Sequence, residues 1–553
     1  MMNFSKLVVI SLIVVTIGVP LAFREKNTSV IPIQDAETLV IITPHNEALR
    51  SEYTAGFKKW YKAKTGKNVN VDWRRQGGRD MARYIESICA NNFRLYWTQE
   101  LHREWNMKVA SAFAARSEDK LNSSENSPEA EVSRAFFQSN VGCGIDILFG
   151  GGVFEIMLQG ANGNLVPCKI LQEHPEMFSA DTIPEYFAGN RLWDEKGRWF
   201  GASLTTFGIF YNSEAIEEDG IGFFPETWDD IGRPEFFKKL AVVDPTKSSS
   251  TQTAFCMLLQ QKMLMRHEAL RTKLGLAELS AQDEAVAIAD GWIDALHLLQ
   301  KMVANGRYFT DSTTRPIVDV SLGNCLVGIS VDFYGFAEAA HLERRSGSKR
   351  FKFTMPRNGG APSPDPIGIF RGAPNPELAE KFLEFILSID GQKLIDFKLN
   401  TPGGPEKLPM RRVPILKTIY ESQYEQYRCD PTINPYESVG SFISHEEWTA
   451  HLSRPLSYIM KVAFIDLNSE LSEAMGAIIR ARREGRESEA ARAYEILSDL
   501  SDLTIDMVAL DIIPIISGKN ILKNIALQNR ISRKCRMQYL EAKRIADGLA
   551  FGK

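Results

Sequence analysis

The sequence predicts an α/β protein that ends in a helical appendage. Short and almost wholly apolar runs, such as residues 38–43 (TLVIIT), are typical of central strands that are covered on both faces. Segments with apolar residues at helical spacing alternate with these runs, and short loops join the two, which is typical of an α/β sheet. After about Cys429 only helical spacing remains, which predicts helices packed on the α/β body.

Length and composition favour a large globular protein. The chain of 553 residues has room for about three to four domains at roughly 150 residues each. Its 65 basic and 69 acidic residues give a net charge of −4, which excludes the strongly basic proteins that coat nucleic acids. The mean hydropathy of −0.19 excludes a protein with many membrane spans.

The predicted strands and helices follow one another along the chain. Strands are predicted at 38–43, 69–73, 145–149, 241–243, 325–331, 351–355 and 367–370, with two more inside 199–211. Helices are predicted at 281–305, 376–388 and 392–398, and in the tail at 445–468, 469–484 and 488–509 and beyond. Residues 91–130 predict a helical insertion that is rich in aromatic side chains and ends in an exposed polar loop.

An uncharged apolar run occupies residues 7–23. Lys6 precedes the run, and three charged residues follow it. The run is longer than the usual apolar centre of a signal peptide and shorter than a typical spanning helix. Residues 1–24 therefore predict export, as a signal peptide or as an uncleaved membrane anchor, with residues 25–36 as a tether. A buried helix is the alternative interpretation.

The seven cysteines are scattered and form no C-x-x-C pair, which argues against a zinc ribbon or a redox motif. A chain of this size needs no disulfide to hold its core, so most of these cysteines are expected to be small buried side chains. One pairing to consider in an oxidising compartment is Cys143–Cys168, and the sequence leaves the disulfide state open.

The sequence lacks the common catalytic signatures. It contains no G-x-S-x-G nucleophile elbow, no G-x-x-x-x-G-K-[ST] phosphate loop, no H-E-x-x-H and no G-x-G-x-x-G that opens a helix. Its eight histidines include no pair at metal-binding spacing. These features predict a binding protein rather than an enzyme.

Several predicted strands end in small or polar loops that precede a helix, at residues 43–46, 77–78, 150–152 and 248–251. Ligands of open α/β sheets bind beyond the carboxyl ends of strands, where helix N-termini offer unpaired N–H groups and a partial positive charge. The loops therefore indicate a binding cleft for an anionic or oxygen-rich ligand. The alternative is that each Ser or Thr only caps a helix and each Gly only makes a turn.

Several sequence blocks resemble one known family. They are FGIFYNSEAI from Phe207, FFPETWDDIGRPEFFKKL up to Leu240 with AVVDPTKSSSTQTAF directly after it, DILFGGG at 146–152, VDFYGFAEA at 331–339 and RGAPNPELAEKFLEFILSIDGQKL at 371–394. Together they resemble the iron(III)-type branch of the bacterial extracellular solute-binding proteins of ABC importers. The resemblance covers about residues 37–412 and leaves out the tether, the insertion and the tail.

The resemblance implies a two-lobed type II periplasmic binding protein fold, in which hinge strands join two α/β lobes. It places lobe 1 at residues 37–202 and lobe 2 at 203–333, with the strands after Phe351 returning to lobe 1. Residues 334–412 form the return segment that completes the lobes, and residues 413–553 form the helical extension. Closure about the hinge would trap a ligand between the lobes.

The same resemblance implies a function in uptake. The protein would capture a small oxygen-rich or anionic solute, with ferric iron as one option, and deliver it to the membrane permease of an ABC importer. It would act as a periplasmic monomer without a resident cofactor or a nucleic-acid partner. It would contact the membrane only through the N-terminal segment, which would anchor it to the inner membrane if that segment is uncleaved.

The candidate ligand-binding residues lie in these loops and at the ends of nearby strands. They are Thr43, His45, Asn46, Gly151, Gly152, Ser203, Ser249, Ser250, Thr251, Asp332 and Tyr334. The resemblance implies that Ser249, Ser250 and Thr251 contact a bound anion. His45 and Tyr334 would be the metal ligands if the solute were ferric iron, although the iron-binding relatives use two adjacent tyrosines where this chain has Phe333 and Tyr334.

Several of these residues have alternative roles. His45 could cap a helix, Tyr334 could pack in the hinge, and Asp332 could bond a hinge amide or receive a cationic group. Arg74 and Arg75 follow the second strand and could pair with an acidic ligand or remain solvated.

Two other functions remain open from the sequence. An enzyme built on the same cleft would use His45 or Asp332 as its acid or base. An anchored sensor or scaffold would bind a partner through the helical tail, and its α/β body should then fold without the residues after about Cys429.

Overall fold

The computed structural model describes residues 36–121, 127–312, 314–437, 442–518 and 520–549. The predicted export segment at 1–24 and the tether up to residue 35 lie outside the described residues, as do the side chains of Arg79 and Ser249. No helix in the described ranges is both long and apolar enough to cross a membrane.

Two large sheets and a short hairpin organise the described chain. In chain order the strands are β1 (Glu37–Thr43), β2 (Val69–Arg75), β3 (Ile147–Phe149), β4 (Tyr186–Phe187), β5 (Asn190–Arg191), β6 (Phe200–Thr205), β7 (Phe207–Asn212), β8 (Leu240–Val243), β9 (Gly306–Thr310), β10 (Val327–Val331), β11 (Phe351–Thr354), β12 (Ser363–Ile369) and β13 (Val413–Pro414). The first sheet has the order β13-β6-β12-β3-β1-β2, the second has the order β11-β7-β10-β8-β9, and β4 pairs with β5.

Both large sheets are mixed. In the first, β1 runs parallel to β2 and β3, whereas β12 is antiparallel to β3 and β6. In the second, β8 runs parallel to β9 and β10, whereas β7 is antiparallel to β10 and β11. With its helices, the first sheet forms lobe 1 and the second forms lobe 2, so the predicted two-lobed α/β fold is confirmed.

Helices cover both sheets and make up the tail. They are α1 (Glu47–Thr65), α2 (Gly78–Leu95), α3 (Met107–Ala114), α4 (Pro128–Phe137), α5 (Val153–Ala161), α6 (Ile170–Glu173), α7 (Ser213–Glu218), α8 (Trp228–Ile231), α9 (Ser249–Leu274), α10 (Ala281–Asn305), α11 (Arg315–Ser321), α12 (Asp332–Ser346), α13 (Pro376–Leu387), α14 (Ile389–Asp396), α15 (Ser422–Glu425), α16 (Glu446–Thr449), α17 (Ser453–Ile459), α18 (Asn468–Arg483), α19 (Glu487–Leu497), α20 (Ile505–Met507), α21 (Ile513–Ser517) and α22 (Ile521–Ala546). Short π-helical turns occur at Tyr96–Glu100, Met460–Ile465 and Val508–Ile512.

The chain crosses between the sheets at Thr206 and again between β11 and β12. Thr206 alone separates β6, in the first sheet, from β7, in the second. The structure therefore places the crossover at Thr206 instead of at the predicted boundary after residue 202, and Ser203 belongs to lobe 1. The strand at Phe351 pairs with β7 and so belongs to lobe 2, not to lobe 1 as expected. Residues 199–211 form an almost continuous apolar run, so the sequence shows no break at the crossover.

Lobe 1 has a separate core on each face of its sheet. Tyr53 and Phe57 of α1 pack with α13 on one face, in contact with Phe149 and Phe382. The helical insertion packs on the other face, where aromatic side chains of α2, α3 and α4 stack on one another. The strands serve both cores because successive side chains point to opposite faces of a sheet.

The helical tail shares one core with lobe 2. Trp292 of α10 is fully buried and donates from its indole N–H to the Leu503 carbonyl at 2.7 Å. Gln300 Nε2 donates to the Leu497 carbonyl at 2.9 Å and to the Tyr539 hydroxyl at 3.3 Å. The predicted helical appendage is confirmed, and it is continuous with the interior of lobe 2.

A third connection between the lobes precedes the tail. β13 pairs with β6 in lobe 1, and the chain then runs toward lobe 2. Ser444 donates from its backbone N–H to the Ala188 carbonyl of lobe 1 at 2.9 Å and from its hydroxyl to Gln260 Oε1 of lobe 2 at 3.1 Å. Residues 442–449 therefore contact both lobes at once.

All seven cysteines have free thiols in this structure. Cys143 belongs to the core under the helical insertion, whereas Cys168 belongs to the core on the opposite face of the sheet. The Cys143–Cys168 pairing considered from the sequence is therefore not formed.

Candidate functional site

A polar cavity lies between the two lobes, where strand ends from both sheets meet. We call it the interlobe cleft, and its volume is about 470 Å³. Lobe 1 and its return segment contribute Pro44, His45, Asn46, Arg75, Gln76, Gly77, Gly151, Gly152, Val153, Thr205, Ser363, Pro364, Asp365 and Arg412. Lobe 2 contributes Phe207, Lys247, Ser248, Ser250, Thr253, Asp311, Ser312, Thr314, Val331, Phe333 and Tyr334. The loops that the sequence singled out after β1, β2, β3 and β8 therefore converge on one cavity.

Three of the helices that begin at the interlobe cleft start directly after a glycine or a serine: α2 after Gly77, α5 after Gly152 and α9 after Ser248. The first N–H groups of a helix have no partner within the helix and carry a partial positive charge. Within the described part of the chain, no side chain caps α2 or α5, whereas Ser248 Oγ accepts from the Thr251 N–H at 3.2 Å. The helix ends therefore present backbone donors that suit an anion.

His45 is buried at the inner wall of the cleft, 4% exposed. Its Nε2 lies 2.8 Å from Asp365 Oδ2, and its Nδ1 lies 2.8 Å from Thr43 Oγ1. A carboxylate only accepts hydrogen bonds, so Nε2 donates to Asp365 and Nδ1 accepts from the Thr43 hydroxyl. Burial lowers the pKa of His45, so the ring is neutral at pH 7 and both nitrogens are occupied.

Asp365 joins His45 to Arg412, which comes from the chain just before β13. Arg412 Nη1 donates to Asp365 Oδ2 and, at 3.3 Å, to Ser203 Oγ. Its guanidinium carbon lies 3.9 Å from the centre of the Phe333 ring of lobe 2, a cation–π contact across the cleft. Burial opposes ionisation of Asp365, but His45 and Arg412 together hold its pKa well below its usual range. The cluster therefore contains a carboxylate, a guanidinium and a neutral imidazole.

The glycine loop at 150–152 closes this wall of the cleft. Gly150 has a φ of +83°, and a Cβ atom there would lie 2.8 Å from the His45 ring. A side chain at this position would both strain the backbone and displace His45. The loop therefore requires glycine for the close approach of β3 to the loop after β1.

The cleft carries more positive than negative side-chain charge. Arg75 of lobe 1 and Lys247 of lobe 2 are exposed, and neither forms an ion pair with any described residue. Asp311 lies on the lobe 2 rim, whereas the charge of Asp365 is offset by Arg412. Arg74, the neighbour of Arg75, is outside the cleft lining and pairs with Asp72 at 3.4 Å. Of the two arginines considered from the sequence, only Arg75 is positioned to meet a ligand.

The structure brings together some of the predicted site residues and leaves others behind the cleft wall. His45, Asn46, Gly151, Gly152, Ser250 and Tyr334 line the cleft. Asn46 also caps α1 by accepting from the Leu49 N–H at 3.1 Å, so His45 is not the capping residue. Thr43, Ser203 and Thr251 are buried and hold His45, Arg412 and Ser248 respectively. Ser249 begins α9, and its side chain lies outside the described part of the structure.

Asp332 does not face the interlobe cleft, contrary to the prediction. It lines a second cavity of about 300 Å³ behind the crossover, which we call the hinge cavity. The hinge cavity is bounded by Leu204, Thr206, Asp332, Phe336, Phe353, Met355, Gly360, Pro362, Val413, Ile433, Pro435 and Phe442. Asp332 accepts from the Thr206 N–H and hydroxyl, both at 2.9 Å, and from the Phe333 N–H at 2.7 Å. This fits the alternative in which Asp332 bonds a hinge amide, and burial raises its pKa to about 6.

Tyr334 lines the cleft but has no second tyrosine beside it. Its ring packs against Phe333, with the ring centres 4.4 Å apart. Burial raises the pKa of Tyr334, which disfavours the phenolate that a ferric ion would require. Among the described residues, no group of three or more His, Cys, Asp and Glu side chains is arranged to hold a metal ion.

Sequence reasoning missed Asp365 and Arg412. They are 47 residues apart in the chain, and each is separated from His45 by more than 300 residues. Asp365 did carry a signal in the sequence, since it is an isolated charge within the run SPDPIGI. Arg412 carried none, because nothing in its local sequence indicates a return to the cleft.

Residues 145–410 match the family model described as bacterial extracellular solute-binding protein. The chain is also 24% identical, over 253 residues, to an uncharacterized protein of Haemophilus influenzae. That match spans 45% of this chain and 60% of the Haemophilus protein.

Solved structures of periplasmic binding proteins are similar at low sequence identity. One is AfuA from Actinobacillus pleuropneumoniae with exogenous fructose-6-phosphate bound, which is 16% identical, with 78% of this chain and 99% of that chain covered and a TM-score of 0.47. Another is iron-bound HitA from Pseudomonas aeruginosa, which is 15% identical, with 76% and 99% covered and a TM-score of 0.43. A third is the apo ferric ion-binding protein A of Pasteurella haemolytica, which is 13% identical, with 77% and 97% covered and a TM-score of 0.45.

Proposed function

Residues 145–410 belong to the bacterial extracellular solute-binding proteins, and on this premise we propose that the protein captures an anionic, oxygen-rich organic solute in the interlobe cleft. The family consists of binding proteins rather than enzymes, which agrees with the missing catalytic signatures. The catalytic alternative from the sequence has no further support, because both nitrogens of His45 are occupied and Asp332 faces away from the cleft.

One observation carries the proposal: the N-termini of α2, α5 and α9 and two side chains that form no ion pair with any described residue, Arg75 and Lys247, all face the same cavity. Helix ends and the side chains of Arg75 and Lys247 supply donors and positive charge from both lobes. The volume of about 470 Å³ is in the range of small-molecule sites. Such a cleft suits a compact solute with a phosphate or carboxylate group and several hydroxyls.

Ferric iron is the second candidate, on the ground of the sequence resemblance. A ferric ion needs several anionic oxygen ligands arranged around it. Asp365 is already paired with Arg412 and His45, so its carboxylate is not free to bind the ion. Tyr334 is a single phenol with a raised pKa. The donor set therefore favours an anion over a metal cation as the captured solute.

We further propose that the solute passes to the permease of an ABC importer and that the protein acts in the periplasm. The support is the family, whose members are extracellular, and the apolar run at residues 7–23. Hinge closure about the crossovers would enclose the solute. The scaffold alternative has less support, because the tail completes the core of lobe 2 and its removal is expected to unfold that lobe.

The test is native mass spectrometry of the protein from its host envelope, followed by a thermal-shift panel. We expect a retained organic anion, and a rise in melting temperature with glucose 6-phosphate or inorganic phosphate but not with glucose. Ferric nitrilotriacetate is the competing probe. Retention of ferric ion, or stabilisation by the ferric probe alone, would contradict the proposal.

A further inference from the structure

Two of the seven free cysteines lie in the same core of lobe 1, on neighbouring segments. Cys89 is on α2 and Cys143 is in the segment that leads into β3, and the neighbouring Cys143 thiol raises the pKa of the Cys89 thiol. Both are buried, 1% and 4% exposed, in the core under the helical insertion. Beside them, Asn92 Nδ2 donates to the Gly142 carbonyl at 2.8 Å, which holds the helix and the segment together.

The other five cysteines are spread over the rest of the described chain, and only Cys256 and Cys535 among them pack on the same core. Cys168 belongs to the opposite core of lobe 1, and its thiol donates to the Val166 carbonyl at 3.7 Å. Cys325 and Cys535 lie in two separate cores of lobe 2. The structure favours Cys89 and Cys143 as a pair, because both are in one core and the Asn92–Gly142 hydrogen bond joins their segments, and this pair differs from the one that the sequence suggested.

We propose that Cys89 and Cys143 form a disulfide when the chain folds in an oxidising compartment. This inference uses the proposed export only to supply that compartment. The closed ring would contain residues 90–142, which include the whole of α3 and α4. It would also join α2, whose N-terminus lines the interlobe cleft, to the segment that precedes β3 and its glycine loop.

The chemistry is a thiol–disulfide exchange with oxidised glutathione as the oxidant. Cys143 is taken as the attacking sulfur, and the two roles can be exchanged because both thiols are exposed while the chain folds. The Cys143 thiolate displaces one glutathione as a thiol and forms a mixed disulfide, and Cys89 then displaces the second. In sum, two protein thiols lose two protons and two electrons, and glutathione disulfide becomes two glutathione thiols. Both sulfurs are buried in the folded lobe, so the bond must form during folding.

The test is refolding of the full chain from urea in a glutathione redox buffer, followed by alkylation, non-reducing digestion and mass spectrometry. We expect one linked pair of peptides containing Cys89 and Cys143, two hydrogens lighter than the reduced peptides together. The urea midpoint of the oxidised protein should be higher than that of the protein held in reductant, because the link restricts the unfolded chain. Cys143→Ser should abolish both effects, and the matched variant Cys168→Ser should retain both.

A refolded protein with native circular dichroism and all seven cysteines alkylated would overturn the inference, as would a Cys143–Cys168 link. If Cys143→Ser does not fold, the linked peptides and the urea midpoint of the wild-type protein, compared with and without reductant, still decide the test. The same digestion applied to protein from the envelope separates this inference from the proposed export. A link that forms on refolding but is missing from envelope protein supports the pairing and contradicts the location.

Discussion

The interlobe cleft and the hinge cavity lie on opposite sides of the same crossover segments but have opposite chemistry. Adjacent residues of each segment face different cavities. The interlobe cleft is lined by Thr205, Phe333 and Arg412. The hinge cavity is lined by their chain neighbours Thr206, Asp332 and Val413. The interlobe cleft is lined by cations and helix ends, whereas the hinge cavity is mostly apolar with one buried carboxyl group. Along β6 and β13 the side chains alternate between faces, so a shift of one residue changes which cavity a side chain lines, whereas Asp332 and Phe333 diverge in the first turn of α12.

The largest effect is expected from Arg412→Met, which breaks the charged cluster of the interlobe cleft. The variant leaves the Asp365 carboxylate buried without its cation, so the free energy of unfolding should fall by about 3–5 kcal/mol. Urea denaturation followed by circular dichroism measures the loss. Adding Asp365→Asn to this variant removes the stranded charge and should recover much of the stability. A loss below about 1 kcal/mol in the single variant would show that the cluster is not a buried ion pair.

The next effect concerns pH and the hinge cavity. Burial raises the pKa of Asp332 from 3.8 to about 6, so the folded state holds this proton more tightly than the unfolded chain. The resulting stability is full below about pH 4 and is lost as the pH rises through about 6, a change of about 3 kcal/mol. Asp332→Asn cannot ionise and should lack this loss.

Urea midpoints of wild type and Asp332→Asn at pH 4.5, 6 and 7.5 measure this difference. Other groups that titrate in the range, such as Asp396, are present in both proteins and cancel in the comparison. Phosphate affinity should change less than twofold, because Asp332 faces away from the interlobe cleft. Parallel pH profiles for the two proteins would contradict the role assigned to Asp332.

How much of this arrangement follows from the sequence depends on how local it is. The helix at Ala281–Asn305 was predicted residue by residue, and β1 and β8 to within one residue, because their signals are local periodicities. In contrast, β9 was not predicted, and β12 begins four residues before the predicted strand. The loops after β1, β3 and β8 were also found, since strand, small loop and helix follow one another in the chain. The Asp365–Arg412 pair could not be found in this way, because its partners meet only after the chain has returned between the lobes.

Asp332 shows a second limit of the sequence. The motif VDFYGF placed the end of β10 at the cleft correctly, since Val331 and Phe333 both line it. Asp332 lies between them as the first residue of α12 and points to the hinge cavity, and the motif alone does not state which side chains at this strand-to-helix junction meet the ligand. The helical tail was recognised as helical, but its merger with the core of lobe 2 depends on tertiary contacts.

A smaller effect separates two adjacent arginines. Arg75→Gln removes an unpaired cation from the cleft and should weaken phosphate binding about fivefold, the effect expected for one exposed charge. Isothermal titration at physiological ionic strength measures the change. Arg74→Gln is the matched control and should change the affinity less than twofold, because Arg74 is outside the cleft lining and pairs with Asp72. Equal effects of the two variants would mean that the general field of the protein, rather than the cleft, holds the anion.

The smallest effect is expected from Tyr334→Phe, which removes only a phenolic hydroxyl. Phosphate affinity should change less than about threefold, as for the loss of one neutral hydrogen bond at most. Visible absorbance after addition of ferric nitrilotriacetate provides the second readout. A tyrosinate-to-iron absorption band in wild type that disappears in the variant would restore ferric iron as the solute.

We expect an anion to bind where the N-termini of α2, α5 and α9 meet, on the cleft side of the crossover. Arsenate has the shape and charge of phosphate, and its anomalous scattering locates it in a crystal. We expect one strong peak in the interlobe cleft, within hydrogen-bond distance of the first N–H groups of at least one of the helices α2, α5 and α9 and close to Arg75 or Lys247. A peak only in the hinge cavity or on the outer surface, with the cleft holding water, would contradict the account.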